Sequence, residues 1–190
     1  MEPIAKQPTL FMIMLGCKPP GRHTEQHDIF FTIADSIADT KADVLNFWPE
    51  ANGFVHMDAW RAVTAVDGYQ IKVVPKNSSI EHNGLKLFFI NLGGYRKGEF
   101  DEPHYKLLIV AENKAEALKQ AKQTAFYKHT GFAGAPSHID DKYGVDVDDA
   151  FEISDVLAAD LKTMYQLEIS PAVDMEADKI TLGYMPLYKA

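Results

Sequence analysis

Two polar steps recur along the chain, Glu-x-His and His-x-Asp. The first set is Glu25, His27, His56 and Asp58; the second is Glu102, His104, His138 and Asp140. In extended chain, residues i and i+2 share one face, so each step can present an imidazole and a carboxylate together. That donor set suits a divalent metal such as zinc or manganese, with Glu25, His27, His56 and Asp58 as the candidate ligands. It also suits acid/base chemistry, in which the carboxylate fixes the imidazole tautomer. The bland alternative is structural: Glu and His beside a Gly-bounded loop bond its amides, and Asp58 or Asp140 caps a turn. Arg22 and His23 extend the first set as ligand-binding candidates, Arg22 as a fixed positive charge for a carboxylate or phosphate. Their counterparts in the second set are Glu99 and Phe100, so the first set is the better equipped.

Other reactive residues carry less. Cys17, the single cysteine, could act as a nucleophile with His23 or His27 as base. Gly94 stands at the matching position of the second copy, which favours a buried, inert thiol. Asp146 and Asp148, within an acidic run from Asp140 to Asp149, would share a strand face and could hold a hard cation. Their spacing is not that of an EF-hand loop, and a solvated strand face explains them. There is no Ser-centred elbow, phosphate-binding Gly loop or Cys-x-x-Cys, and Gly93-Gly94 lacks the third glycine and following helix of a dinucleotide site.

The elements that must position these residues occur twice. Leu10 to Ala34 reads LFMIMLGCKPPGRHTEQHDIFFTIA, and Leu87 to Ala111 reads LFFINLGGYRKGEFDEPHYKLLIVA, at a constant offset of 77. Leu10/Leu87, Gly16/Gly93, Glu25/Glu102 and His27/His104 are among the identical pairs, which marks an internal duplication. Each copy predicts an apolar strand, a Gly-bounded loop and a second strand. A helix follows, over Ile37–Trp48 in the first copy and Lys114–Lys128 in the second, with Ser36 and Asn113 as caps. Trp48 completes the first helix's apolar face and is expected to be largely buried. His56 opens a third strand, and Asp67-Gly68 turns the chain into a fourth, Tyr69 to Val74. In the second copy His138-Ile139-Asp140 aligns with His56-Met57-Asp58, and Tyr165–Pro171 echoes Tyr69–Pro75. Ser154 to Met164 predicts an inserted helix between them, and Lys179 to Tyr188 a last, edge-like strand.

The expected fold class is α+β: two β-β-α-β-β units packed with pseudo-twofold symmetry into one body. The expected organisation is a leader over 1–9, a first repeat over 10–76, a linker over 77–86, and a second repeat over 87–190 that carries the inserted helix and the last strand. The 190 residues are 46% hydrophobic and 24% charged, as in a globular protein. With 27 acidic against 19 basic residues and no Lys/Arg cluster longer than a pair, nucleic acid is not expected as a partner. No stretch is long enough to span a bilayer. The lone cysteine excludes an intrachain disulfide and points to a reducing, cytoplasmic setting.

The segment Leu15-Gly16 through Pro20-Gly21-Arg22, then Glu25-Gln26-His27-Asp28, resembles the bacterial family catalogued as domain of unknown function 1543. Leu92-Gly93-Gly94 through Glu102 and His104 looks like its repeat unit, as does His138 to Asp146. The resemblance covers about Leu10 to Pro171 and implies a bacterial origin and a repeated domain, without an activity, cofactor or partner. Two function classes remain. One is a binding or regulatory module whose loops present Glu, His and Asp to a small molecule or protein. The other is a metal- or acid/base-dependent enzyme using the first set.

Overall fold

Strand β1 (Thr9–Cys17) is the axis of the first unit. Phe11, Ile13, Leu15 and Cys17 alternate along one face, and Leu10 is fully buried on the other. A strand apolar on both faces belongs in the middle of a sheet. β1 pairs antiparallel with β2 (Gln26–Ala34) on one side and β3 (His56–Ala62) on the other. β10 (Thr181–Pro186) adds outside β3, so the order is β10-β3-β1-β2. This computed structural model describes residues 7–80, 83–94, 98, 100–124, 145–172 and 174–187. The architecture is mixed α+β with antiparallel sheets.

Between β2 and β3 the sequence predicts one helix. The structure instead runs a 3-10 turn, Ile37–Thr40, into α1 (Lys41–Phe47), with a second such turn over Pro49–Ala51. Local side-chain bonds explain the first turn. The buried Thr40 hydroxyl donates to the Ile37 carbonyl at 2.8 Å, and Ser36 donates to Asp39 Oδ2 at 2.5 Å rather than capping the backbone. Trp48, expected to be largely buried, is half-buried against a core of Phe11, Ile13, Leu15, Val44 and Met57.

β4 (Ala65–Val66) and β5 (Tyr69–Pro75) form the expected hairpin. Asp67 and Gly68 both take positive φ, 50° and 81°, as a two-residue turn of this hand requires. β5 pairs along its length with β9 (Tyr165–Pro171), Tyr69 opposite Pro171 and Pro75 opposite Tyr165. The similar wording of those two segments is therefore that of antiparallel partners.

The chain divides into two compact units: Met1–Ile80 with Leu157–Ala190, and Glu81–Val156. This corrects the boundary read from the sequence, which gave all of 87–190 to the second repeat. β9 and β10 complete the open edges of β5 and β3. Asp178 fastens the returning segment: its carboxylate accepts from the Thr64 and Ala65 N–H groups and the Thr64 hydroxyl at 2.6–3.2 Å.

In the second unit β6 (Lys86–Gly94) is central, flanked by β7 (His104–Ala111) and β8 (Val145–Glu152) in the order β7-β6-β8. α2 (Lys114–Ala121) starts at Asn113, whose Oδ1 accepts from the Glu116 N–H at 3.0 Å, and buries Ala117 and Ala121 against Phe88, Ile90, Leu92 and Ile109. The rest of the helix expected to Lys128, from residue 125 on, lies outside the described residues. The inserted helix expected over Ser154–Met164 is two short ones, α3 (Ile153–Val156) and α4 (Ala159–Met164), because Ala158 is extended (φ −55°, ψ 148°). Among the described residues no helix is long and apolar enough to cross a membrane.

Candidate functional site

The register of β1 builds the site. Gly16 pairs with His27 on β2 and with His56 on β3, so one row across three strands reads His27, Gly16, His56. Residues in one row of a pleated sheet share a face. Glycine leaves that face empty between the two imidazoles. A Cβ on Gly16 would collide with His56 Nε2 and Asp58 Oδ2.

Asp58 arrives there through a β-bulge. Leu15 pairs with Met57 and Met14 with Ala59, which leaves Asp58 as the extra residue on β3. Bulges re-aim side chains in this way. Glu25, one residue before β2, closes the group. His56 Nε2 stands 2.9 Å from Glu25 Oε1 and 3.4 Å from Asp58 Oδ1, while His27 Nε2 stands 3.3 Å from Asp58 Oδ2 and 3.9 Å from Glu25 Oε2. Each carboxylate thus turns one oxygen to each imidazole.

Burial is graded across the group. The His56 side chain is 7% exposed and Asp58 22%, whereas Glu25 and His27 are each 45% exposed. The approach of His27 to Asp58 is an ion-pair separation without hydrogen-bond alignment: Asp58 Oδ2 is buried and has no hydrogen-bond partner. The Tyr184 ring on β10 packs on His56 at 4.4 Å between centroids. Cys17, fully buried beside this group, has its thiol pushed above the ordinary value by burial and then by the Glu25 charge, as expected of an inert cysteine.

The structure therefore brings together Glu25, His27, His56 and Asp58. Arg22 and His23 stay exposed in the turn before β2, where the Arg22 N–H donates to the Pro19 carbonyl at 3.2 Å. In the second unit Gly93 pairs with His104 on one side and Asp146 on the other, and Asp148 is the extra residue at the matching bulge. His104 Nε2 stands 3.0 Å from Asp148 Oδ2, and a Cβ on Gly93 would collide with that carboxylate. Glu102 is half-buried two residues before His104. His138 and Asp140 lie outside the described residues. The register opposite Gly93 belongs to the Asp146-x-Asp148 step, which corrects the alignment of His138-x-Asp140 with His56-x-Asp58. Tyr184 is the site neighbour that motif spacing missed, and Asp148, read from the sequence with Asp146 as a possible cation ligand, was not placed beside His104. The signal for Asp148 was its bulge position, which only strand pairing reveals.

Among the described residues, no group of three or more His, Cys, Asp and Glu side chains stands in an arrangement that could hold a metal ion without rearrangement. The four side chains instead stand in pairwise contact.

No curated protein matches the chain. Among solved structures, the crystal structure of a protein Il1583 from Idiomarina loihiensis is similar, with a TM-score of 0.63 and 20% identity over 96% of this chain and 99% of that one. At that identity the likeness is one of fold. Residues 22–73, which hold all four clustered side chains, match the family described as Domain of Unknown Function (DUF1543).

Proposed function

We propose that this protein is a ligand-binding module, that Glu25, His27, His56 and Asp58 form its binding site, and that the ligand is small and positively charged. The observation that carries this reading is the Asp58 carboxylate. Its Oδ2 is buried without a hydrogen bond, a condition that costs about 1–3 kcal/mol and that a purely structural brace has no reason to keep. The acidic balance of the chain, −8, also favours a cation over an anion. A second reading, acid/base catalysis, is favoured by one contact: the buried His56 stands 2.9 Å from Glu25, as in an imidazole oriented by a carboxylate.

The two glycine rows support the further proposal that the units are diverged copies. Opposite both central strands the partner strand bulges at the same step, Met14/Leu15 and Asn91/Leu92, at the 77-residue offset of the sequence repeat. The lone cysteine supports a cytoplasmic setting, and the resemblance and the Idiomarina neighbour support a bacterial one.

The test is a thermal-shift screen against small organic amines with the full chain and with Glu25→Gln and His27→Ala. Both side chains are half-exposed, so these variants should fold. Ligands that raise the melting temperature of the parent and not of the variants support the reading. Equal shifts in all three proteins overturn it. Turnover of a hit would move the assignment to the acid/base reading.

A further inference from the structure

The geometry points to a single divalent transition-metal ion, of the zinc class, as the ligand of the Glu25–His27–His56–Asp58 cluster; this deepens the binding-module reading and rests on it. Accessibility is the first argument. Asp58 Oδ2 is shut off from solvent, and a dehydrated ion is small enough to enter between the side chains and meet it. Donor chemistry is the second. Two imidazole nitrogens and two carboxylates match the preference of zinc for nitrogen and oxygen ligands, and the carboxylates balance the ion's charge.

Distances are the third. Metal–ligand bonds of about 2.0–2.2 Å put neighbouring donors roughly 2.8–3.6 Å apart in octahedral or tetrahedral shells. Three of the four nitrogen–oxygen approaches, 2.9, 3.3 and 3.4 Å, fall in that range, and the fourth is 3.9 Å. The shell is not preassembled, since each imidazole faces different oxygens of the two carboxylates. Assembly asks only the half-exposed Glu25 and His27 to turn inward. His56, buried under Tyr184, and Asp58, fixed in the bulge, stay in place as anchors. Gly16 supplies the room, because any side chain there would occupy the space of His56 Nε2 and Asp58 Oδ2.

Among the described residues, the second unit lacks this set. Where His56 stands opposite Gly16, Asp146 stands opposite Gly93, so the row holds one imidazole. One ion per chain is the expected stoichiometry.

The experiment is calorimetric titration of zinc chloride into the chelator-stripped full chain, with bound metal measured after gel filtration. One zinc per chain is expected. His27→Ala, Asp58→Asn and Glu25→Gln should each weaken binding at least about 10-fold, since loss of a ligand costs no less than loss of its supporting partner. His104→Ala should leave binding unchanged. If Asp58→Asn fails to fold, Glu25→Gln and His27→Ala carry the comparison. No zinc uptake, or uptake unchanged in these variants or lost in His104→Ala, overturns the assignment. If zinc fails while an amine from the screen still binds in a Glu25- and His27-dependent way, the metal assignment falls and the binding module stands. If both fail, both fall.

Discussion

Gly16 lies directly beneath the Asp58 carboxylate, so close that a methyl group on Gly16 would overlap Asp58 Oδ2. The glycine's φ is not in the left-handed region, so the requirement is one of space. Gly16→Ala should therefore destabilise the first unit by about 1–3 kcal/mol, the usual cost of overpacking. Denaturant titration measures it. A change within a few tenths of a kcal/mol would mean that His56 and Asp58 can move aside without cost.

Asp178 accepts three donors from Thr64 and Ala65 and ties the C-terminal segment to the first unit. Asp178→Ala should cost about 1–2 kcal/mol, because hydrogen bonds to a carboxylate are strong but those from Thr64 are solvent-exposed and those from Ala65 only partly buried. Amide exchange should rise along β4 and β10 together. Protection that falls in neither strand would show that the clasp holds nothing.

Trp48 packs against the Phe11–Met57 core while remaining half-buried. Trp48→Ala should cost about 2 kcal/mol, roughly half of what truncating a fully buried aromatic costs. A loss of 4 kcal/mol or more by the same titration would place the indole inside the core.

Lys86 and Glu152 join the outer residues of β6 and β8, Nζ to Oε2 at 2.7 Å. Burial pushes the Glu152 carboxyl up, but the hydrogen bonds from Lys86 and Ser154 and the Lys86 charge outweigh it, and the net value lies below 4.5. Hydrogen bonding to Glu152, with its charge, raises Lys86 above 10.5. The depressed carboxyl contributes stability above its unfolded value, which is lost as pH falls through the folded one. The raised ammonium contributes below its unfolded value, and that share is lost as pH rises through the folded one. The stability difference between the parent and Glu152→Gln should thus be level from about pH 5 to 10 and shrink on either side. Thermal melts across pH check this; a difference that grows toward pH 3 would refute it.

Much of the fold was legible because it is local. The apolar runs of β1 and β6, the Asp67-Gly68 turn and the Asn113 cap each depend on a few adjacent residues and their backbone preferences. Where side chains competed with the backbone, as Thr40 and Ser36 do, a single expected helix became a turn and a helix. The candidate site was legible in part for the same reason. Glu-x-His and His-x-Asp spacing puts each pair on one face, but pairing by letters alone set His138-x-Asp140 against His56-x-Asp58.

The sequence by itself determined the α+β class, the repeated strand–loop–strand wording and the residue types that can bind or exchange protons. Only the tertiary structure decided that His27 and His56 flank Gly16, that Asp58 sits in a bulge above it, and that Asp146 and Asp148 hold the matching positions beside Gly93. It also decided that residues 157–190 return to the first unit. The physical reason is range. Propensity and face alternation act over a few residues, whereas register across three strands is set by burying both faces of a central strand at once, and a one-residue slip would carry every one of these side chains to the other face.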